Sequence, residues 1–131
     1  MRKGYLILAA LLAACDSGVT GITTVTGNWT LSTINDASLP YTVSGSGANK
    51  TEIVDDVITF FEGLTYSETI HTRVTVNGTA STVTTNETGN YNLFGTSVTL
   101  TRNSGAASRR GLIDGNTMTI VENGLVQDYK K

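Results

Sequence analysis

Few side chains in this sequence are of a kind that does chemistry, and their spacing decides what they could do. His71 is the only histidine and Cys15 the only cysteine. A catalytic base or a metal ligand needs partners, and with so few nitrogen and sulfur donors a zinc site would have to be mostly carboxylate. His71 is therefore expected on a solvated strand face. Ser44-Gly45-Ser46-Gly47-Ala48-Asn49-Lys50-Thr51 faintly echoes a phosphate-binding loop, but the glycine directly before Lys-Thr is missing. No helix follows to aim its N-terminal dipole at an anion. The stretch reads as a flexible loop that could at most cover a cup as a lid. Asp55-Asp56, with Glu52 close by, suggests a cation site or a glycosidase carboxylate pair. Adjacent side chains on a strand point to opposite faces, so solvated turn carboxylates are the expectation. Neither Gly-x-Ser-x-Gly nor His-Glu-x-x-His occurs. No catalytic residue, metal site or cofactor is expected, and the chain reads as a non-enzyme.

The elements that must position these residues are strands. Thr, Val, Ile, Tyr and Phe suit a pleated, half-buried surface, Ala is sparse after residue 15, and Pro40 is the single proline. Strands are predicted at 27–34, 41–43, 56–61, 65–76, 80–85, 90–94, 97–102, 107–113, 117–121 and 125–129. In the longest, Tyr66, Ile70, Val74 and Val76 share one parity, while Thr65, Ser67, Thr69, His71, Arg73 and Thr75 share the other. That is period-two alternation with one dry face and one wet. Asn77-Gly78 is the strongest hairpin signal, because both central residues of a type I′ turn need positive φ. Later Gly turns recur about every ten residues, which indicates a sandwich or barrel of hairpins.

Two charged residues break the dry parity. Glu68, with Thr72, falls among Tyr66, Ile70 and Val74, and Arg109 shares the parity of Ile113. A lone buried carboxylate costs several kcal/mol and must be paired or protonated. Glu68 and Arg109 could be such a pair, or could line a polar patch in a small cavity. The preferred reading is a bulge in the long strand, or a rim position, that turns Glu68 outward.

The front of the chain has its own layout. Arg2 and Lys3 precede the apolar run Gly4 to Ala14, which Leu12-Ala13-Ala14-Cys15 closes. The run is about eleven residues, too short for the ~20 a membrane span needs, and its N-terminal place, basic flank and Cys stop argue against a buried core helix. This is the pattern of a secretory signal. The four closing residues resemble the lipobox of bacterial lipoproteins, in which the Cys thiol receives diacylglycerol and the preceding peptide is removed. The resemblance implies a signal peptide over 1–14, a lipid anchor on Cys15 and a location in the cell envelope on the periplasmic side. Asp16 after the Cys implies, by the rule of enteric lipoproteins, retention at the inner membrane. Residues 15–26 then form a Gly/Thr tether and 27–131 one domain. Nine basic residues less Arg2 and Lys3 leave seven against eleven acidic ones, a formal charge of −4. No basic stripe is available for nucleic acid. Asn-x-Thr triplets at Asn28, Asn49, Asn77 and Asn86 follow from the abundance of Thr.

The domain resembles small bacterial lipocalin-like lipoproteins through Gly27-x-Trp29, Leu39-Pro40, Gly63-x-x-Tyr66, Gly89-x-Tyr91, Gly115-Asn116-Thr117-Met118 and the closing Tyr129-Lys130-Lys131. The resemblance implies an all-β, up-and-down antiparallel barrel of about eight strands, preceded by the signal helix. It also implies that Trp29 plugs the closed end with Lys130 over its ring. A small apolar molecule or lipid would then sit in a cavity lined by Tyr66, Glu68, Ile70, Thr72, Tyr91 and Arg109. The rival expectation is a structural or protein-interaction module. Eight strands are just wide enough to be filled by side chains or to hold one small ligand.

Overall fold

The computed structural model describes residues 24–131. The expected signal peptide, Cys15 and the tether as far as residue 23 lie outside the described residues. The chain forms strands β1 (Gly27–Ile34), β2 (Ala37–Ser38), β3 (Tyr41–Ser46), β4 (Asn49–Phe60), β5 (Thr65–Val76), β6 (Thr79–Phe94), β7 (Ser97–Arg102), β8 (Arg109–Asp114), β9 (Thr117–Glu122) and β10 (Leu125–Lys130). From β4 to β10 each strand pairs antiparallel with the next, and β1 lies between β10 and β4. Eight strands thus close an antiparallel barrel. β2 and β3 attach outside it, on β1 and β4.

The Asn77-Gly78 turn is as the sequence demands, with φ of 49° and 80°. It joins β5 to β6 in an unbroken ladder from Val76↔Thr79 to Thr65↔Asn90. Three expectations need correction. Residues 44–50 are not a flexible loop: β3 turns at Gly47-Ala48 and pairs back on β4 through Ser44↔Thr51 and Ser46↔Asn49. The strands predicted at 80–85 and 90–94 are one strand, because Glu87, Thr88 and Gly89 stay in register with Glu68, Ser67 and Tyr66. The strand predicted from Ala107 begins at Arg109.

The long strands outrun the barrel. β6 meets β7 only from Gly89 onward, and β4 meets β1 only over Val57–Phe60. The outer parts of β4, β5 and β6, edged by β3, therefore extend past the wall as a four-stranded flap. Its inner face carries the half-buried Ile53, Ile70 and Thr72. The opposite end is closed by Trp29, which is wholly buried and donates its indole N–H to the Val25 carbonyl at 2.7 Å. Val25 is itself in the core, so the folded unit starts two residues before the expected Gly27.

Candidate functional site

The interior is stacked in layers whose composition follows strand parity. Above Trp29, the apolar layers hold Phe60, Tyr66, Tyr91, Leu100, Met118 and Ile120, all buried. Phe60 meets the Tyr91 ring edge-on at 4.9 Å between centroids, a favoured aromatic geometry. Tyr91 donates its hydroxyl to the Phe61 carbonyl at 2.8 Å. It is a member of the packed core rather than a cavity wall. Gly111 points inward, where Val98 and Met118 leave no room for a Cβ.

Toward the open end the barrel carries a girdle of polar side chains. Seven consecutive strands, β4 to β10, each contribute one inward polar group: Asp56, Glu68, Glu87, Arg102, Arg109, Glu122 and Gln127. Arg109 forks onto Glu68, with Nη1 donating to Oε1 at 2.9 Å and Nη2 to Oε2. Nη2 also reaches Glu87 at 3.2 Å, and Glu122 lies 3.6 Å from Nη1. Arg102 links Glu87 to Glu122, at 3.0 and 2.5 Å. Tyr66 donates to Glu87 at 3.0 Å and Tyr129 to Asp56 at 2.7 Å.

Glu68 and Arg109 are therefore the buried pair, exposed by only 2% and 5%. Glu68 is not turned outward: β5 runs regular through it, paired to Ile58 and Glu87. The bulge lies instead in β4, where the register shifts between Ile53 and Asp55. That shift brings Glu52 and Asp55 to one outer face. Glu52 accepts from Arg73 and Lys50, both at 2.8 Å, and those two cations hold its carboxyl below the ordinary range. Asp55 faces His71 Nδ1 at 2.5 Å on the half-exposed outer surface. Asp55 and Asp56 are strand residues on opposite faces, not solvated turn carboxylates; Asp56 is buried.

Burial, and then the neighbouring Glu68, push the Asp56 carboxyl up to about 8. Burial followed by Glu87 raises the Tyr66 phenol to about 12. For Arg109 burial opposes the charge, but Glu68 and Glu122 outweigh it and the guanidinium is held more firmly than usual. Two buried polar atoms of the girdle have no partner: Asp56 Oδ1 and Arg109 Nε. A proton on Oδ1, which the raised pKa supplies at neutral pH, turns that atom into a donor beside the Glu68 carboxylate.

The six residues expected to line a cavity are thus split. Tyr66 and Tyr91 belong to the packed layers, Glu68 and Arg109 to the girdle, and Ile70 and Thr72 to the flap above it. The expected cover of Trp29 by Lys130 is wrong by one residue. Strand alternation sends Tyr129 inward and Lys130 outward, while Lys131, just past the strand, turns across the closed end. Its Nζ stands 5.8 Å from the Trp29 ring centre and donates to the Thr24 carbonyl at 2.7 Å.

Glu87, Arg102, Glu122 and Gln127 were missed as site residues. Arg102 and Glu122 follow Leu100 and Ile120 at the same parity, a signal present in the sequence. Among the described residues, no group of three or more His, Cys, Asp or Glu side chains is placed to hold a metal ion. No known protein-family model and no curated protein matches the chain.

Proposed function

We propose that the protein is a non-enzymatic lipoprotein of the bacterial cell envelope, anchored through lipid on Cys15. Its barrel is a filled structural body that presents the flap to a protein partner on the periplasmic side. The observation that carries this reading is the girdle. It spans the interior with paired charges, and the layers beneath hold large side chains down to Trp29. An apolar guest would have to displace these side chains or lie against an ion-paired floor. The flap, by contrast, offers long strands, and along Thr79–Asn86 of β6 both faces are exposed. The anchor part of the reading stands on the basic start, the short apolar run and Leu12-Ala13-Ala14-Cys15.

Native mass spectrometry of the purified full-length lipoprotein tests it. The expected mass is chain plus lipid on the N-terminal Cys. A further small-molecule adduct, released on denaturation, would overturn the filled-barrel reading. Photo-crosslinkers placed at Val83 or Val76 on the flap should capture an envelope protein that the same group at Val126 does not.

One observation favours a second reading, carriage of a small molecule at the open end. Arg109 Nε is buried without a partner, and Ile53, Ile70 and Thr72 toward the open end are half-buried. Such a lining suits an amphipathic guest with a polar head better than the wholly apolar one expected from the sequence.

A further inference from the structure

Among the described residues, ten large apolar side chains are exposed, and their chemistry sorts by place. Val43, Val76, Val83, Val121 and Val126 are scattered over the flap and the walls. The five that are Phe or Leu (Phe61, Leu64, Leu93, Phe94 and Leu112) all stand at the closed end. Phe61 and Leu64 belong to the turn between β4 and β5, and Leu93-Phe94 lead into the turn between β6 and β7. The Leu64 carbonyl accepts from Tyr91 N–H at 2.8 Å, so the two turns lie side by side. Ser97 pairs with both Phe94 and Leu112, which sets those two on one outward row with only a small side chain between them. Phe94 is 89% exposed.

The chain also enters at this end. Thr24 is held by Lys131, and Cys15 is nine residues upstream, a reach of at most about 32 Å. Of the charged side chains here, Glu62 and Asp114 balance Lys130 and Lys131, so the apolar cluster stands on an end with no net side-chain charge. Clustered exposed apolar side chains mark an interaction surface, and a tether gives a nearby surface a high effective concentration.

We propose that this closed end rests on the lipid bilayer, with Phe94, Leu93, Phe61 and Leu64 seated at the headgroup–acyl boundary. The proposal rests on the lipid-anchor reading of Cys15 and adds an orientation to it: barrel axis upright, flap pointing away from the membrane. Several shallow apolar insertions suffice for a protein that is already tethered.

The test uses full-length lipidated protein reconstituted in vesicles of phosphatidylethanolamine and phosphatidylglycerol, part of the lipid brominated in its acyl chains. Two variants carry fluorescent reporters, Phe94→Trp at the closed end and Val83→Trp on the flap. Both sites are exposed, and an unchanged urea midpoint confirms that the fold is kept. Bromolipid is expected to quench the added fluorescence at 94 at least twofold more strongly than at 83, with a blue shift at 94 alone. Equal quenching at both positions, in protein that floats with the vesicles and carries lipid on its N-terminal peptide, overturns the docking while the anchor stands. Failure to float, with no lipid on that peptide, sinks the anchor reading and the docking with it.

Discussion

Arg109 and Glu68 face each other across the barrel from strands three apart in the wall, joined through both nitrogens of one guanidinium fork and both oxygens of one carboxylate. Such a pair is weak evidence for net stability, since desolvating both charges offsets most of their attraction. Breaking it is another matter. Arg109→Met leaves Glu68, Glu87 and Glu122 facing one another with only Arg102 between them, and is expected to cost about 3–5 kcal/mol. Adding Glu68→Gln removes one stranded charge and should restore part of that loss. Urea unfolding of the single and double variants measures both; a double variant no more stable than the single would refute the pairing.

Asp56 makes stability depend on pH. An unfolded chain releases this proton near the ordinary carboxyl value of 3.8, whereas the folded barrel keeps it to about 8. The contribution is therefore complete below about pH 4 and is lost as pH rises through 8, by about 1.4 kcal/mol per unit for one proton. Asp56→Asn has no proton to lose. Its stability relative to wild type should rise steadily from pH 4 to 8 and level off above. Parallel stability curves for the two proteins would show that Asp56 is ionised in the fold.

At the closed end, Trp29→Ala removes a wholly buried indole and should cost about 3–5 kcal/mol. Lys131→Ala loses a cation near the limit of useful distance from the ring and should cost less than about 1 kcal/mol. Lys130→Ala should leave the thermal midpoint unchanged. A larger effect at Lys130 than at Lys131 would reverse the assignment of the plug.

Gly89→Ala and Gly111→Ala both push a methyl group into the barrel, against different obstacles. At Gly111 the added carbon meets the Val98 and Met118 side chains at 2.9 and 3.1 Å, which can shift for about 1–3 kcal/mol. At Gly89 it meets the Thr101 backbone carbonyl as well as the Tyr66 ring, and a strand backbone held on both sides cannot give way. Gly89→Ala should be the more damaging in thermal unfolding, to the point of poor recovery of folded protein.

What was legible in the sequence was local. The alternation in Thr65–Val76, the Asn77-Gly78 turn and the spacing of the later hairpins lead directly to the meander, because from β4 to β10 neighbouring strands are neighbours in sequence. Gly89 shows where that reading fails. Thr85 to Gly89 carries turn-forming residues, yet each is used within a strand. Asn86 accepts from Thr69, and Thr88 accepts from Asn103. Glu87 joins the girdle. Gly89 itself is there because Tyr66 and Thr101 leave no space beside it. A glycine required for packing looks the same in sequence as one required for turning.

The candidate site was half legible for a related reason. Parity placed Glu68 and Arg109 on inward positions, and only the long odds against burying charge argued for turning Glu68 out. What made burial tolerable was Arg102, Glu87, Glu122 and Asp56, brought in from four other strands. The Asp56–Tyr129 contact joins residues that only barrel closure makes adjacent. Lys131 lies beyond the last strand, where alternation no longer says which way a side chain turns.

The position of β1 between β4 and β10 also has a consequence for how the chain folds. Apart from the β1–β4 contact, which reaches across β2 and β3, every other wall contact forms between consecutive strands and can zip locally. The seam from β1 to β10 joins the two ends of the domain through Leu31↔Tyr129 and Ile34↔Gln127. Bringing these ends together carries the largest loop-closure entropy in the molecule, so the seam is the natural last step of folding. Until Tyr129 arrives, Asp56 has no phenol to bind and the Trp29 edge of the sheet lies open. The wall thus stays an unclosed ribbon until β10 is in place on β1.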